Sequence, residues 1–240
     1  MLGWNDIRQR YRRSVLGPFW ITLSMAIFIG LLGVIYSRLF HVEIETYLPY
    51  LTLGYIIWGF ISQSTIESAI AFQEGERIIR QIRLPYPVFV FRVVWRNFIV
   101  FLHNVVIFVP IALFFHVHLG LVILLAVPGL ALIYVNQLWV TLALAVISTR
   151  YRDVQQIVTS AVQIMLFATP IMWPVSALGN AAVIAYLNPL YHAIDLVRAP
   201  LLGTAPELSS WLIVLGGGIV GWTIAVLLLH RASRRLVFWL

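Results

Sequence analysis

Side chains able to do chemistry are few in this chain. The best candidate for a ligand set is the pair His116 and His118 together with His41, Glu43 and Glu45. Three imidazoles and two carboxylates could hold a metal ion, but a His-x-His pair alone specifies little. Nothing in the sequence joins these two stretches, so we expect no metal site.

Two residue types that support whole classes of chemistry do not occur. The chain has no cysteine, which excludes disulfides, thiolate catalysis and cysteine-ligated metal clusters. All 16 basic residues are arginine, so no P-loop lysine and no Schiff-base amine is available. Glu67 is the only carboxylate well inside an apolar stretch, which makes it a functional candidate. Water or an arginine could equally satisfy it.

The elements that position these residues must suit a lipid solvent. Hydrophobic residues make up 61% of the 240, charged residues 10%, and the mean hydropathy is +0.93. A soluble domain has roughly half apolar and about a quarter charged residues. Because about 20 apolar residues cross a bilayer, the sequence predicts an all-α integral membrane protein with six transmembrane helices: 18–40, 47–72, 97–115, 119–148, 154–172 and 211–230.

The arginines divide unevenly between the two sides of these spans. All but two of the 16 lie before the first span, between the second and third, between the fourth and fifth, or after the sixth. Arg38 and Arg198 are on the other side. The positive-inside rule makes the arginine-rich side cytoplasmic, so both termini are predicted to be cytoplasmic. The net charge of +7 therefore indicates topology, and we expect no nucleic-acid binding.

Three further segments are not simple spans. Residues 1–16 place Trp4, Ile7, Tyr11 and Val15 on one face, which predicts an amphipathic interfacial helix. The cytoplasmic region 73–96 combines mixed charge with an apolar patch, which suits either a docking surface or a solvated loop. Residues 173–210 hold two short apolar pieces separated by prolines. They predict a re-entrant external hairpin between the fifth and sixth helices, with a plain interfacial loop as the alternative.

Aromatic residues fall into two groups. Tyr47, Tyr50 and several tryptophans lie at predicted interfaces and are typical of an aromatic belt. A deeper set could stack on the faces of sugars or fill contacts between helices: Tyr55, Trp58, Phe60, Tyr134 and Trp139.

Short motifs through nearly the whole chain resemble polysaccharide-export permeases of the ABC-2 type. These transporters export O-antigen, capsule and teichoic acid chains. The matching motifs are Arg10-Tyr11-Arg12-Arg13-Ser14-Val15-Leu16-Gly17-Pro18-Phe19-Trp20, Ser37-Arg38-Leu39-Phe40, Leu84-Pro85, Tyr151-Arg152-Asp153-Val154 and Asn188-Pro189-Leu190. They occur in the family's order, and together they are specific.

The resemblance implies a transport subunit rather than an enzyme. Residues 1–240 would form one ABC-2-type transmembrane domain that homodimerises into a channel in the bacterial inner membrane. Two copies of a separate ATPase subunit would bind ATP and magnesium, and this chain would need no cofactor. The substrate would be a polyprenyl-diphosphate-linked polysaccharide, with O-antigen favoured. Alternatives are an ABC-2-type exporter of a small lipophilic compound, a membrane enzyme acting on lipid-linked sugar, and a structural subunit without a path.

The resemblance also implies roles for particular residues. Region 73–96 would couple to the ATPase through Glu74, Gly75, Glu76, Arg77, Ile79 and Arg80. The lipid diphosphate would be guided by Arg10, Arg12 and Arg13, since guanidinium groups suit phosphate oxygens. The hairpin 173–210 would form an external gate that includes Trp173, Pro174, Asn188 and Pro189. The deeper aromatic set would line the sugar path.

Overall fold

The structure, a computed structural model, describes residues 19–81, 84–175, 179 and 182–240. Within those ranges every regular element is a helix, which confirms the all-α class. The interfacial helix expected at 1–16 lies outside the described residues, as do Arg10, Arg12 and Arg13.

Twelve α-helices are described within these ranges. A 3₁₀ turn at Leu121–Leu125 leads directly into the seventh. Their bounds are α1 Phe19–Leu39, α2 Ile44–Ser68, α3 Ala71–Glu74, α4 Glu76–Gln81, α5 Pro87–Val105, α6 Phe108–Phe114, α7 Ala126–Arg150, α8 Val154–Ala168, α9 Val183–Tyr186, α10 Pro189–Leu201, α11 Leu208–Ala232 and α12 Leu236–Trp239.

Four helical stretches among the described residues are long and apolar enough to cross a bilayer. They are Phe19–Leu39, Pro87–Phe114, Leu121–Arg150 and Leu208–Ala232. Helix α2 has 25 residues but is less apolar than these four, and α8 has only 15. A multi-pass membrane protein is therefore supported, while the count of six crossings stays a prediction.

Helix α2 is the centre of the bundle and packs against α1, α5, α7, α8 and α10. Its lower apolarity follows from this position, because its small polar side chains face other helices rather than lipid. Thr52 and Thr65 are satisfied within the helix, since their hydroxyls donate to the carbonyls of Leu48 at 2.6 Å and Ile61 at 2.7 Å. Such bonds to the preceding turn let a hydroxyl be buried without a partner helix.

The third predicted span begins earlier than the sequence indicated. Helix α5 starts at Pro87, ten residues before the predicted start at 97. Proline suits a first helical position because the backbone N–H that it lacks would have no partner in the helix. Phe89 follows and packs edge-on against Phe72 of α3, with ring centroids 6.4 Å apart. The aromatic contact and the proline together fix where this helix begins.

Helices α7 and α11 make close contact through two glycines. A Cβ atom at Gly221 would lie 2.2 Å from the Trp139 ring, and one at Gly218 would lie 3.1 Å from the Asn136 side chain. At Gly217 nothing lies within 4 Å. The contact therefore uses glycines three residues apart, Gly218 and Gly221, and not the four-residue spacing of Gly217 and Gly221.

Candidate functional site

A cavity of about 410 Å³ lies between α1, α2 and α5. Ile21 and Met25 of α1 form its apolar wall. The rest of the lining combines aromatic rings with amide and charged groups, including Tyr55, Trp58, Phe60, Gln63, Glu67, Arg96, Asn97 and Asn104. A concave surface with a few convergent polar groups is the usual form of a ligand site.

Glu67 is the polar centre of this cavity and is only 7% exposed. Its Oε2 atom accepts hydrogen bonds from Arg96 Nη2 at 2.8 Å and Asn97 Nδ2 at 2.7 Å. Gln63, one turn earlier on α2, donates to Oε1 at 3.1 Å. Three donors and an opposite charge compensate for burying the carboxylate. The sequence left open whether water or an arginine satisfies Glu67, and the structure shows an arginine there.

The same arginine connects the cavity to the predicted coupling region. Arg96 Nη2 lies 3.8 Å from a carboxylate oxygen of Glu74, the last residue of α3. Gly75 follows and contacts the Phe89 ring closely, since a Cβ atom there would lie 2.5 Å from it. Helix α4 then carries an ion pair between Glu76 and Arg80 at 2.8 Å. Of the predicted coupling residues, the ones exposed to the surroundings are Glu74, Arg77 and Arg80.

The five deep aromatics predicted to line a path separate into two groups. Tyr55, Trp58 and Phe60 line the cavity. Tyr134 instead contacts Phe60 and Phe98, with ring centroids 6.4 Å and 5.1 Å apart. Trp139 packs on Gly221 and donates through its indole N–H to Asn136 Oδ1 at 2.8 Å. The last two residues therefore serve contacts between helices within one copy of the chain.

A second polar cluster surrounds residues 169–173, which we call the 169–173 segment. It follows the end of α8 and is not helical. The Tyr50 hydroxyl donates to the Pro170 carbonyl at 2.9 Å, and the Tyr47 hydroxyl donates to the Met172 carbonyl. Tyr47 is 2% exposed, so assigning it to an aromatic belt was wrong. It is a buried hydrogen-bond donor.

Arg198 of α10 completes this cluster and is 2% exposed. Its Nη1 donates to the Pro170 carbonyl at 2.8 Å. Its guanidinium carbon lies 4.1 Å from the centroid of the Tyr50 ring. Asp195, one turn earlier, lies 3.8 Å away and partly balances the charge. Burial raises the pKa of the Asp195 carboxyl, and Arg198 opposes that rise.

The predicted external-gate residues lie within or beside the 169–173 segment. Asn188 caps α10 by accepting from the Leu190 N–H at 2.9 Å, and Pro189 occupies the first turn. The Asn188 side-chain amide also donates to the Ala168 carbonyl at 3.2 Å and to Thr169 Oγ1 at 2.9 Å. Trp173 donates to the Phe167 carbonyl at 3.1 Å, and Pro174 follows it. The structure thus brings these residues together, while their role as a gate stays a prediction.

Sequence reasoning missed the importance of Arg198, Tyr47 and Tyr50. One signal was available, since Arg198 is an arginine on the arginine-poor side of the predicted topology. The positive-inside rule does not explain this cation, so we expect it to interact with a partner inside the fold. Among the described residues, no three His, Asp or Glu side chains are grouped as metal ligands would be.

Comparison with known proteins gives a consistent picture. The sequence model of the family described as ABC-2 type transporter matches residues 1–202. The chain is 26% identical over 201 residues to O-antigen export system permease protein RfbA of Myxococcus xanthus, covering 81% of the chain and 76% of that relative. It is 25% identical over 173 residues to a protein of the same name from Klebsiella pneumoniae, covering 70% of the chain and 65% of the relative.

Proposed function

Because the chain belongs to the ABC-2 type transporter family of membrane proteins, we propose that it is the channel subunit of an ATP-driven polysaccharide exporter. Its substrate would be a polyprenyl-diphosphate-linked glycan, with O-antigen favoured, moved across the bacterial inner membrane. The family match and the relatives support a membrane transport subunit. The relatives are named as O-antigen export permeases. The substrate, the energy source, the two-copy channel and the inner-membrane location are the proposed steps.

The observation that carries the glycan assignment is the lining of the cavity between α1, α2 and α5. Tyr55 and Trp58 supply aromatic faces, against which the C–H faces of a sugar ring can pack. Gln63 and Asn104 supply amides that can bond hydroxyl groups. The buried Glu67 is paired with an arginine, so the cavity carries little net charge, which suits neutral sugar units.

The energy source is proposed to be a separate ATPase. The chain has no lysine with which to build a P-loop. Helices α3 and α4 present the charged side chains of Glu74, Arg77 and Arg80 at one end of the bundle. Such a short, charged helical segment suits a cleft in a soluble partner. Replacing Glu74 and Glu76 by arginine is expected to abolish co-purification with that ATPase, whereas unchanged co-purification would place the coupling segment elsewhere.

The proposed channel requires two copies of the chain. Helix α8 buries only Val158 within one copy, and most of α1 is exposed. In the proposed topology the α3–α4 end is cytoplasmic, and the end formed by α10 and the 169–173 segment faces the periplasm. There Trp173, Pro174, Asn188 and Pro189 would act as the external gate. Arg10, Arg12 and Arg13, outside the described residues, would guide the lipid diphosphate.

Deletion of the gene followed by cell fractionation tests this proposal. Lipid-linked glycan should accumulate on the cytoplasmic side of the inner membrane, and surface glycan should disappear. Restoring the wild-type chain should reverse both effects. Normal surface glycan in the deletion strain would refute the assignment.

An exporter of a small lipophilic compound is the second candidate. The cavity volume of about 410 Å³ is within the range of pockets that hold drug-sized ligands, roughly 300–1,000 Å³. This candidate predicts unchanged surface glycan in the deletion strain together with increased sensitivity to a lipophilic compound. The same strain therefore separates the two functions.

A further inference from the structure

The carbonyl groups after helix α8 receive their hydrogen bonds in an unusual way. A helix leaves its last carbonyls without partners inside the helix, and those groups need donors when they are buried. Here the Phe167 carbonyl accepts from Trp173, and the Ala168 carbonyl accepts from Asn188. Beyond the helix end, Tyr50 donates to Pro170 and Tyr47 donates to Met172. Side chains rather than a backbone ladder therefore hold much of this stretch.

The residues that these bonds hold are deeply buried. Thr169 is 1% exposed and Ile171 is 0% exposed. Ile171 packs against α2 at Gly54, where an added Cβ would lie 3.5 Å from the Ile171 carbonyl oxygen. A non-helical segment that is buried yet held mainly by side chains can be released without unwinding a helix. Such a segment is suited to a conformational change in which it leaves its neighbours.

Arg198 differs from the other donors named here because it is charged, and it joins three elements. Its backbone belongs to α10, its Nη1 bonds the Pro170 carbonyl at 2.8 Å, and its guanidinium lies 4.1 Å from the centroid of the Tyr50 ring on α2. A charged donor gives a stronger hydrogen bond than a neutral one. The planar guanidinium can also stack on an aromatic ring while it donates in its own plane.

We propose that Arg198 is a positioning residue that keeps the 169–173 segment closed against α2 in the resting transporter. This inference rests on the proposed function, in which this end of the bundle is the exit of the channel. Loss of the arginine frees the segment to leave α2 while α2, α5 and α7 stay packed. The exit barrier then opens without energy input.

Cysteine labelling measures this release directly, because the chain contains no cysteine. A single Ile171→Cys substitution places a thiol at a position that is 0% exposed. The full chain in lipid nanodiscs is treated with a membrane-impermeant maleimide, which reaches both faces of the disc. A second reporter, Val94→Cys in α5, is also 0% exposed and measures the packing of the whole bundle.

Four substitutions are compared on each reporter. Arg198→Gln should accelerate labelling at position 171 by at least about tenfold. Arg198→Lys should give a smaller increase, because its ammonium can still donate to Pro170 but cannot stack as a plane. Tyr50→Phe should also give a small increase, since the ring stays and only the hydroxyl is lost. Arg38→Gln removes an exposed arginine and should change nothing.

The order of the rates decides the outcome. Acceleration at position 171 alone, ranked Gln above Lys at residue 198, supports the proposal. Equal acceleration at positions 171 and 94 would show general loss of packing and overturn it, as would unchanged labelling in all variants. If Arg198→Gln does not fold, Arg198→Lys and Tyr50→Phe still test the ranking against Arg38→Gln. The assay contains neither glycan nor ATPase, so its failure is distinct from a failure of the export test.

Discussion

Replacing Arg96 by methionine should destabilise the protein strongly, although the substitution lies inside a largely apolar bundle. The change keeps an unbranched side chain, although a shorter one, and removes the cation 2.8 Å from the Glu67 carboxylate. Glu67 is 7% exposed, so its charge would lose its main compensation while it stays out of contact with bulk water. Methionine adds apolar contacts, which favour packing inside the bundle. The expected loss of stability must therefore exceed this gain.

The expected loss of stability depends on the hydrogen bonds that Glu67 retains. Breaking a buried ion pair from one side costs about 3–5 kcal/mol. Asn97 and Gln63 still donate to the carboxylate, at 2.7 Å and 3.1 Å, so we expect about 3 kcal/mol. For a chain of this size that corresponds to a fall in Tm of roughly 6–12 °C. In the double variant Glu67→Gln/Arg96→Met, neither charge of the ion pair remains. It should therefore lose less stability than the two single variants together, by a coupling energy of about 1–3 kcal/mol.

Thermal unfolding of the chain in nanodiscs, with both single variants and the double variant, measures this coupling. The matched control is Arg80→Met, which breaks an ion pair whose arginine side chain is 53% exposed. Exposed pairs contribute about 0.3–0.5 kcal/mol, so its Tm should change little. The reasoning would be refuted if Arg96→Met lowered Tm no more than Arg80→Met. Additive effects in the double variant would refute it as well.

Three further predictions concern helix contacts. Gly221→Ala should cost about 1–3 kcal/mol of unfolding free energy, because its Cβ would collide with Trp139 at 2.2 Å. Gly217→Ala, with nothing within 4 Å, should stabilise α11 by up to about 1 kcal/mol; equal effects at both glycines would contradict the packing described here. Asn188→Ala should cost about 1–2 kcal/mol through loss of the cap and should increase amide exchange at Leu190, whereas unchanged exchange would argue against the cap. Thr22→Val should lower stability by about 0.6 kcal/mol, because its hydroxyl donates to Asn104 at 3.2 Å; a stability gain would show that this bond contributes nothing.

The sequence predicts well those features that depend on local composition. Apolar length indicates the helices around 18–40, 119–148 and 211–230, and the structure has α1, α7 and α11 there. The short helices α9 and α10 occur where two half-helices were expected between prolines. These features depend on residues close together in the chain, so periodicity and proline positions are enough to find them.

Contacts between distant residues could not be predicted in this way. Tyr50 and Pro170 are 120 residues apart, and Arg198 is 28 residues from the same carbonyl. Before the fold is known, a tyrosine near the end of an apolar helix looks the same whether it faces lipid headgroups or a buried carbonyl. The start of α5 at Pro87 also escaped prediction, because a proline can either end a helix or occupy its first turn.

The polar character of α2 has a consequence for how the protein enters its membrane. Helix α2 is the most enclosed of the long helices, yet it is less apolar than the four that could cross a bilayer unaided. A segment of that kind partitions poorly into lipid when it leaves the ribosome alone. Only residues 40–43 separate it from the strongly apolar α1, so in the proposed topology the two helices enter together as a hairpin. Biogenesis of the central helix then depends on a neighbour that buries few of its own residues.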